Sequence, residues 1–514
     1  MSYKILITTS GIGSRLGELT DFTNKSLIRI GDKPAISHII ENYSSTSSFV
    51  VTLGHYGSQV KEFLEMSYPS TNFEFVQVDK YVGRGTSLAY SILQAKDKLQ
   101  CPFVFNACDT ILHNNFLLFD SISHNFCMGS HVDDSSQYTT LLVNNNRITE
   151  IKDKGEINYD AAYIGICGIK DYKSFWKCLE EVYESDKGNP NLFEGTVINK
   201  MLPDHDFSYI HTDQWFDMGN VGELEKTRNF FSSSADVLEK KEESIYFFDD
   251  SVVKFFFNKT ITKNRAARAE SLKSLVPEVQ SVGNNFYKYK KVDGLLFSKS
   301  VNKKSFSKLL KWSKDNLWIP KQTEDFDSLC KKFYIDKTNS RVEQYIDSYD
   351  DTTQIWNGYV VPTAKELLDM IDEEWLCEGH PVQFHGDFIL DNILETEDGF
   401  CLLDWRQDFG GNLEVGDIYY DLAKLNHNLT VNHEIVNKKL FVCEGTDCYI
   451  LCNSKLIECK RVLSDFVEDI GLDMNKVQLL TSLIWINMAP LHEYPFSKFL
   501  FNFGKYNLTR CLYD

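Results

Sequence analysis

The stretch YKILITTSGIGSRLGELTDFTNKSL, residues 3–27, runs from a short β-prone segment into a turn with glycines at 11 and 13, followed by Arg15 and Lys25. Glycines directly after a strand let the backbone approach a ligand closely and turn its N–H groups toward an anion. Ser14 lies in the same turn. Arg15 and Lys25 supply positive charge where a bound triphosphate would part with pyrophosphate. A G-x-G turn alone is also what a strand-to-helix connection uses for geometry. The surrounding chain decides between the two.

Working outward, SFVVTLGHY (48–56), FEFVQVD (73–79) and PFVFNACDT (102–110) have the composition of buried strands, with helical stretches at 58–67 and 86–98 between them. Strands alternating with helices predict βαβ units and a mainly parallel sheet sandwiched by helices, an α/β fold. Ligands collect at the carboxyl ends of such strands, where TTSGIG and NACDT fall. From about 139 the pattern becomes strand-rich, and WFDMGNVGELEKTRNFF closes the region. The polar segment SSSADVLEKKEES predicts a linker at 233–243, which gives domains at 1–232 and 244–514.

The second domain opens with SIYFFDDSVVKFFFN (244–258), a hairpin turning at the paired aspartates, and is otherwise mostly helical. Within it lies HGDFILDNIL (385–394), followed by LLDW (402–405). Phosphoryl transfer to a hydroxyl needs a carboxylate to orient the attacking oxygen and take its proton, and oxygen ligands for the Mg²⁺ that neutralises the phosphates. Asp387 fits the first role. Asn392 and Asp404 fit the second. A turn with chance acidic residues would not repeat all three roles at workable spacing.

Bulk properties bound the partners. The 514 residues exceed what one core supports. A net charge of −19 argues against nucleic acid and anionic membrane surfaces as partners, though not against local phosphate sites. The start lacks a signal-peptide pattern, no apolar run would span a bilayer, and thirteen scattered cysteines without a C-x-x-C pair fit reduced thiols, so a cytoplasmic protein without membrane insertion is expected. The sequence does not specify an oligomeric state.

The opening string resembles that of nucleotidylyltransferases acting on sugar 1-phosphates and phosphocholine, whose fold is GT-A-like. Gly11, Gly13, Ser14, Arg15, Lys25 and the GDKP of 31–34 fall in step with it. The family's two alanines before the first glycine are here Thr9 and Ser10, and its proline before the lysine is Asn24. GRGTSLAYS (83–91) resembles the loop that contacts base and substrate, which implies binding roles for Gly85 and Thr86. NACDT and WFDMGNVGELEKTR place Asp109 and Asp217 where the family keeps magnesium ligands. A glycosyltransferase with the same sheet would want D-x-D at the strand end, and ACDTIL has none.

HGDFILDNIL, LLDW and GDIYYDLAKL (416–425) resemble the motifs of aminoglycoside phosphotransferases and choline kinases, relatives of the two-lobed α+β protein kinases. The resemblance makes Asp387 catalytic and implies that Asp421 steadies its loop. It also implies that Lys254 of SVVKFF grips ATP phosphates with Glu270 as its ion-pair partner, and that YKYKKVDG is the hinge against adenine. His385 reads as a brace for the loop.

A kinase makes a phosphomonoester, and a nucleotidylyltransferase couples one to a nucleotide. Both on one chain imply consecutive steps. ATP phosphorylates a small alcohol or sugar, then a second NTP, CTP or UTP by preference, yields an activated precursor for bacterial capsule or surface polysaccharide, with Mg²⁺ in both domains. The alternative is one catalytic domain, the kinase, beside a binding or regulatory module. A choline acceptor would call for an aromatic cage, for which Trp312, Trp318, Trp356, Trp375, Trp405 and Trp485 are available, although aromatics in a helical lobe more often form core.

Overall fold

The computed structural model describes residues 3–113, 121–233 and 240–513, so most of the predicted linker, residues 234–239, lies outside the described residues. Contacts divide the chain into two compact units, residues 1–259 with 280–289 and residues 260–279 with 290–514.

The first unit is built on a nine-stranded sheet. Its strands are β1 (Lys4–Thr8), β2 (Ser48–Leu53), β3 (Asn72–Gln77) and β4 (Phe103–Ala107), then, after a short strand β5 (Thr110–Leu112), β6 (Asn125–Ser130), β7 (Thr140–Asn144), β8 (Arg147–Lys152), β9 (Ala161–Ile169) and β10 (Phe207–His211). The spatial order is β3-β2-β1-β4-β9-β6-β10-β8-β7. The centre of strand β1 is apolar on both faces because both are covered: Ile5 and Ile7 enter one core with Val60, Phe63 and Leu64 of α1 (Gly57–Ser67), and Leu6 enters another with Ala89 and Ile92 of α2 (Leu88–Gln94). The second core also holds Phe175, Trp176 and Leu179 of α3 (Tyr172–Ser185) and Val197 and Ile198 of α4 (Glu194–Met201).

The expected mainly parallel sheet holds across β3-β2-β1-β4 and needs correction beyond it. Strand β9 is antiparallel to both β4 and β6, and β8 is antiparallel to β10 and β7. Strand β10 is still parallel to β6, and the reversal between β7 and β8 is local: a tight turn with Asn145 and Asn146 both at positive φ, 49° and 62°, joins them as a hairpin. A ribbon of β5 with β11 (Trp215–Asp217) sets Asp217 opposite Thr110, and α5 (Val221–Phe230) follows.

The hairpin β12 (Glu243–Phe247) and β13 (Ser251–Phe256) forms a four-stranded sheet with β14 (Val279–Val282) and β15 (Phe286–Lys290). It packs on α1 of the first unit. Phe63 meets the rings of Tyr246 and Phe286 at 5.4 and 5.8 Å, the Tyr246 hydroxyl donates to Leu27 O at 2.7 Å, and Glu62 Oε1 accepts from the backbones of Asn285 and Phe286 at 2.8 and 2.9 Å.

The second unit is mainly helical. Helix α6 (Lys259–Leu272) precedes α7 (Phe326–Lys331), which passes through a π-turn (Lys332–Asp336) into α8 (Lys337–Ile346). The hairpin β16 (Ile393–Thr396) and β17 (Gly399–Leu402) carries the second motif. Its core centres on α9 (Ile418–Asn428), α10 (Met474–Met488) and α11 (Phe496–Tyr513): Asn426 Nδ2 donates to Thr481 Oγ1 at 3.0 Å, and Trp485 packs on Phe503 with ring centres 4.7 Å apart. No helix among the described residues is long and apolar enough to cross a membrane.

Candidate active sites

In the first unit, the loop after β1 is held from three sides. The Thr9 hydroxyl donates to Thr52 O at 2.7 Å, Ser10 Oγ meets Ser91 Oγ at 2.8 Å, and Asn24 Nδ2 donates to Thr9 O and His55 O at 2.8 and 2.6 Å. Asn24 Oδ1 accepts from Ser26 N and Oγ. The three departures from the family pattern are thus buried, hydrogen-bonded parts of the loop. Gly13 sits at φ 75°, where a side chain would meet Lys25 Cβ at 3.0 Å. Gly11, Ser14 and Arg15 are exposed.

Lys25 Nζ lies 3.0 Å from Asp109 Oδ2. Burial opposes both charges, but each holds the other charged: the ammonium is raised above its ordinary range and the Asp109 carboxyl is lowered. Asp109 O accepts from Met218 N at 3.0 Å, so the backbone ties the two acidic segments together. Burial and the Asp109 charge push Asp217 up to about 6, against a 2.7 Å bond from Gly219 N and the charge of Arg15. Gly83 and Gly85 both lie at φ 89°, and Thr86 Oγ1 donates to Gly83 O at 2.7 Å in a turn leading into α2.

Three residues missed in the sequence stand near these carboxylates. Burial and Arg15 lower the Lys154 pKa while Asp217 and Asp109 raise it. Burial and Asp217 push the Tyr138 phenol up. Burial pushes Glu194, with Asp109 adding to it, to about 7, and Glu194 Oε2 has no hydrogen-bond partner among the described residues. Lys154 had a faint signal, a lysine just past a strand-like run; the others come from remote segments. Two neighbouring carboxylates, one of which binds protons near neutrality, fit a hard divalent cation shared with substrate phosphates. Among the described residues no group of three or more His, Cys, Asp or Glu converges, and Mg²⁺ that takes its remaining ligands from phosphates and water needs none.

In the second unit, Asp421 on α9 organises the HGD turn: its Oδ2 accepts from His385 N at 2.8 Å and from Trp318 Nε1 at 3.1 Å, and its Oδ1 accepts from Gly386 N at 2.7 Å. His385 Nδ1 accepts from Asp387 N at 3.2 Å, which leaves Nε2–H to donate to Leu403 O at 2.9 Å. Burial holds the ring neutral, with its pKa lowered to about 4. It is a brace.

Asp387 Oδ1 pairs with Lys424 Nζ at 2.7 Å, and Asn392 Nδ2 donates to Asp387 O and Oδ2 at 3.0 and 3.1 Å. Burial would raise the Asp387 pKa; Lys424 outweighs it and brings the group to about 2. Asp404, at φ 57°, is paired with Arg265 of α6. From the same helix, Arg268 donates to the carbonyls of Phe384, His385, Arg406 and Leu413. Burial lowers its pKa to about 9.

Lys424, Arg265 and Arg268 were all missed. The signal for Lys424 was its helical spacing: Asp421, Lys424 and Asn428, at i, i+3 and i+7, all bond the segment 385–394. Lys254 is buried in β13 of the first unit, while the Glu270 side chain is exposed on α6 of the second. Four of the six tryptophans serve as core, where Trp405 donates to Arg265 O, Trp318 to Asp421, Trp356 to Gln354 and Trp485 to His427, while Trp312 and Trp375 are half-buried.

The model of the family described as "Phosphotransferase enzyme family" matches residues 325–433. The N-terminal region is 24% identical over 239 residues to the "Bifunctional protein GlmU" of Methanococcus vannielii, with 44% of this chain and 54% of that protein covered. It is 27% identical over 176 residues to the "Probable glucose-1-phosphate cytidylyltransferase" of Bacillus subtilis, covering 29% of this chain and 68% of that one. It is 23% identical over 223 residues to the "Choline-phosphate cytidylyltransferase" of Haemophilus influenzae, covering 42% and 92%. The chain spans about half the length of the GlmU relative. The chain therefore joins an N-terminal region that matches nucleotidyltransferases of sugar 1-phosphates and phosphocholine to a C-terminal region that matches the phosphotransferase enzyme family.

Proposed function

We propose that the chain is a bifunctional transferase in which region 244–514 phosphorylates a small alcohol or sugar with ATP, and region 1–232 couples the phosphomonoester to a nucleotide. The observation that carries this reading is a pair of carboxylate centres on one chain, each with a lysine on one carboxylate: Lys25 at 3.0 Å from Asp109 and Lys424 at 2.7 Å from Asp387.

In the kinase step the acceptor oxygen attacks the γ-phosphorus, the bond to the oxygen bridging the β-phosphorus breaks, ADP leaves, and Asp387 takes the hydroxyl proton. The resemblance assigns Lys254 and Glu270 to nucleotide binding. In the second step a phosphomonoester oxygen attacks the α-phosphorus of the NTP and pyrophosphate leaves. The loop at Gly11, Gly13 and Ser14 holds the triphosphate, Gly85 and Thr86 contact base or substrate, and Arg15 and Lys25 meet the phosphate charge. Bound Mg²⁺ would neutralise phosphate charge, held by Asp109 and Asp217 in one region and by Asn392 and Asp404 in the other.

Two relatives named as cytidylyltransferases support CTP as the second nucleotide, with UTP next. An activated precursor for surface polysaccharide, made in the cytoplasm, is the product class this sequence of steps serves. A reading in which the first region is inactive loses its main support, since Thr9, Ser10 and Asn24 are well-bonded parts of the loop.

The test is a mass-spectrometric product assay of the full chain with Mg²⁺, ATP, each other NTP and a panel of alcohols and sugars. A phosphomonoester followed by its nucleotide-linked form is expected. A phosphomonoester alone, with supplied phosphomonoesters also left uncoupled, would overturn the bifunctional reading.

A further inference from the structure

The chain carries an excess of acidic residues, 73 against 54 basic, yet Lys424, the partner of the proposed catalytic carboxylate, heads a linked group of four cations with Arg406, Lys337 and Arg341. Lys424 sits on Asp387 itself. Arg406 follows two residues after Asp404, and its backbone N donates to His385 O at 3.0 Å. It stands so close to the HGD turn that a side chain on Gly386, at φ 86°, would meet Arg406 Cβ at 2.6 Å. The Arg406 guanidinium lies 4.9 Å from the centre of the Phe333 ring, and the Lys337 ammonium lies 4.4 Å from the centre of the same ring. Arg341 stands one turn after Lys337 on α8.

The π-turn at Lys332–Asp336 is what presents Phe333 and Lys337 together, and such turns recur at functional sites. Lys337, Arg341 and Arg406 form no ion pair among the described residues, and Arg406 Nε is buried without a hydrogen-bond partner. The nearby acid, Asp408, accepts from Gly411 N at 3.0 Å. The unbalanced charge is felt within the cluster: burial, then Arg406, Lys424 and Arg341, lower the Lys337 pKa, and burial and Arg406 lower that of Arg341.

We propose that the acceptor of the kinase site is an anion, a small hydroxylated molecule whose carboxylate or phosphate group seats on Lys337, Arg341 and Arg406 while its hydroxyl faces Asp387. An anionic group supplies the counter-charge that the cluster lacks and an acceptor for the buried Arg406 Nε, while Arg341 Nη1 already donates to Gln344 Oε1 at 2.7 Å. A quaternary ammonium is disfavoured here, because the Phe333 ring already has two of the protein's own cations against it. The proposal rests on the kinase reading above and narrows it.

The test compares acceptors of matched shape with the full chain and Mg²⁺-ATP: glycerol against glycerate, glucose against gluconate and glucose 6-phosphate, with choline as the cation. ADP release is measured for each, and calorimetry of the same anions without ATP reads binding alone. At least one anion is expected to be favoured about tenfold or more in kcat/KM over its neutral partner. Lys337→Met, which keeps an alkyl chain over Phe333, and Arg341→Gln, at a partly exposed position, are each expected to raise the KM of that anion with the KM for ATP unchanged. The carboxylate and phosphate arms tell the two sources of charge apart.

Preference for choline, glycerol or glucose overturns the inference and leaves a kinase. So does a rise in the KM for ATP, which would assign the cations to the γ-phosphate. Absence of calorimetric binding by every anion also overturns it. Anion binding that is lost in Lys337→Met, with no ADP released from any acceptor, supports the anion site and instead refutes the kinase reading.

Discussion

Replacing Asp217 with asparagine is expected to make the protein more stable and less active at once. The amide keeps an Oδ1 for the 2.7 Å bond from Gly219 N and removes only the charge. Burial and the Asp109 charge raise the Asp217 carboxyl from 3.8 to about 6. Each unit corresponds to about 1.4 kcal/mol. The ionised group thus costs the folded state at most about 3 kcal/mol, and about 1–3 kcal/mol after allowance for partial solvent access.

The sign follows from linkage. With a folded pKa above the unfolded one, the folded chain retains a proton between about pH 4 and 6 that the unfolded chain has lost. Stability therefore falls as pH rises through that window and stays reduced above it. In urea titrations without metal, Asp217→Asn should be more stable than wild type by about 1–3 kcal/mol at pH 7.5, with the gap closing near pH 4. Nucleotidyl transfer should drop by about a hundredfold or more, as expected when a group that acts on transition-state charge is lost. Asp109→Asn should go the other way, because it strands Lys25, and should destabilise toward the lower end of the roughly 3–5 kcal/mol of fully buried pairs. If Asp217→Asn destabilises equally at pH 7.5 and pH 4, the two carboxylates do not crowd each other and the reasoning fails.

Other expectations concern single contacts. Lys424→Met should raise the pKa of Asp387 from about 2, and the acid limb of the kinase pH–rate profile should move up by at least one unit. Arg268→Leu leaves four loop carbonyls without their donor and should cost more than about 3 kcal/mol in chemical denaturation, with Arg268→Lys rescuing little because an ammonium lacks the planar fork. Asn24→Pro installs the family's residue but strips donors from Thr9 O and His55 O, and should lower stability by about 1–3 kcal/mol.

Much of the site was legible because its chemistry is written in short segments. The glycine turn after β1, the aspartate after β4, and the HGD turn with its asparagine five residues on all lie within one strand-to-turn unit. What stayed hidden depends on distant chain. Lys154 and Tyr138 approach Asp217 from the antiparallel half of the sheet, the half whose hairpin at Asn145 and Asn146 breaks the βαβ pattern. Arg265 and Arg268 reach the HGD turn and Asp404 from more than a hundred residues upstream, and on a polar helix they look like surface charge. Lys424 is the exception, since its spacing from Asp421 predicts a shared helical face. The packing of β12–β15 on α1 also has no local signal: Tyr246 and Phe286 are apolar strand residues that any core would accept.

Two independent sites on one chain are tested most directly by separating the half-reactions. Asp387→Ala and Asp217→Asn proteins, each shown to be folded, would be assayed for ADP formation with acceptor and for pyrophosphate release with a supplied phosphomonoester and CTP or UTP. Independence of the two sites requires that Asp387→Ala lose only the first and Asp217→Asn only the second. Loss of both half-reactions in either folded variant, or of neither in both, would contradict it.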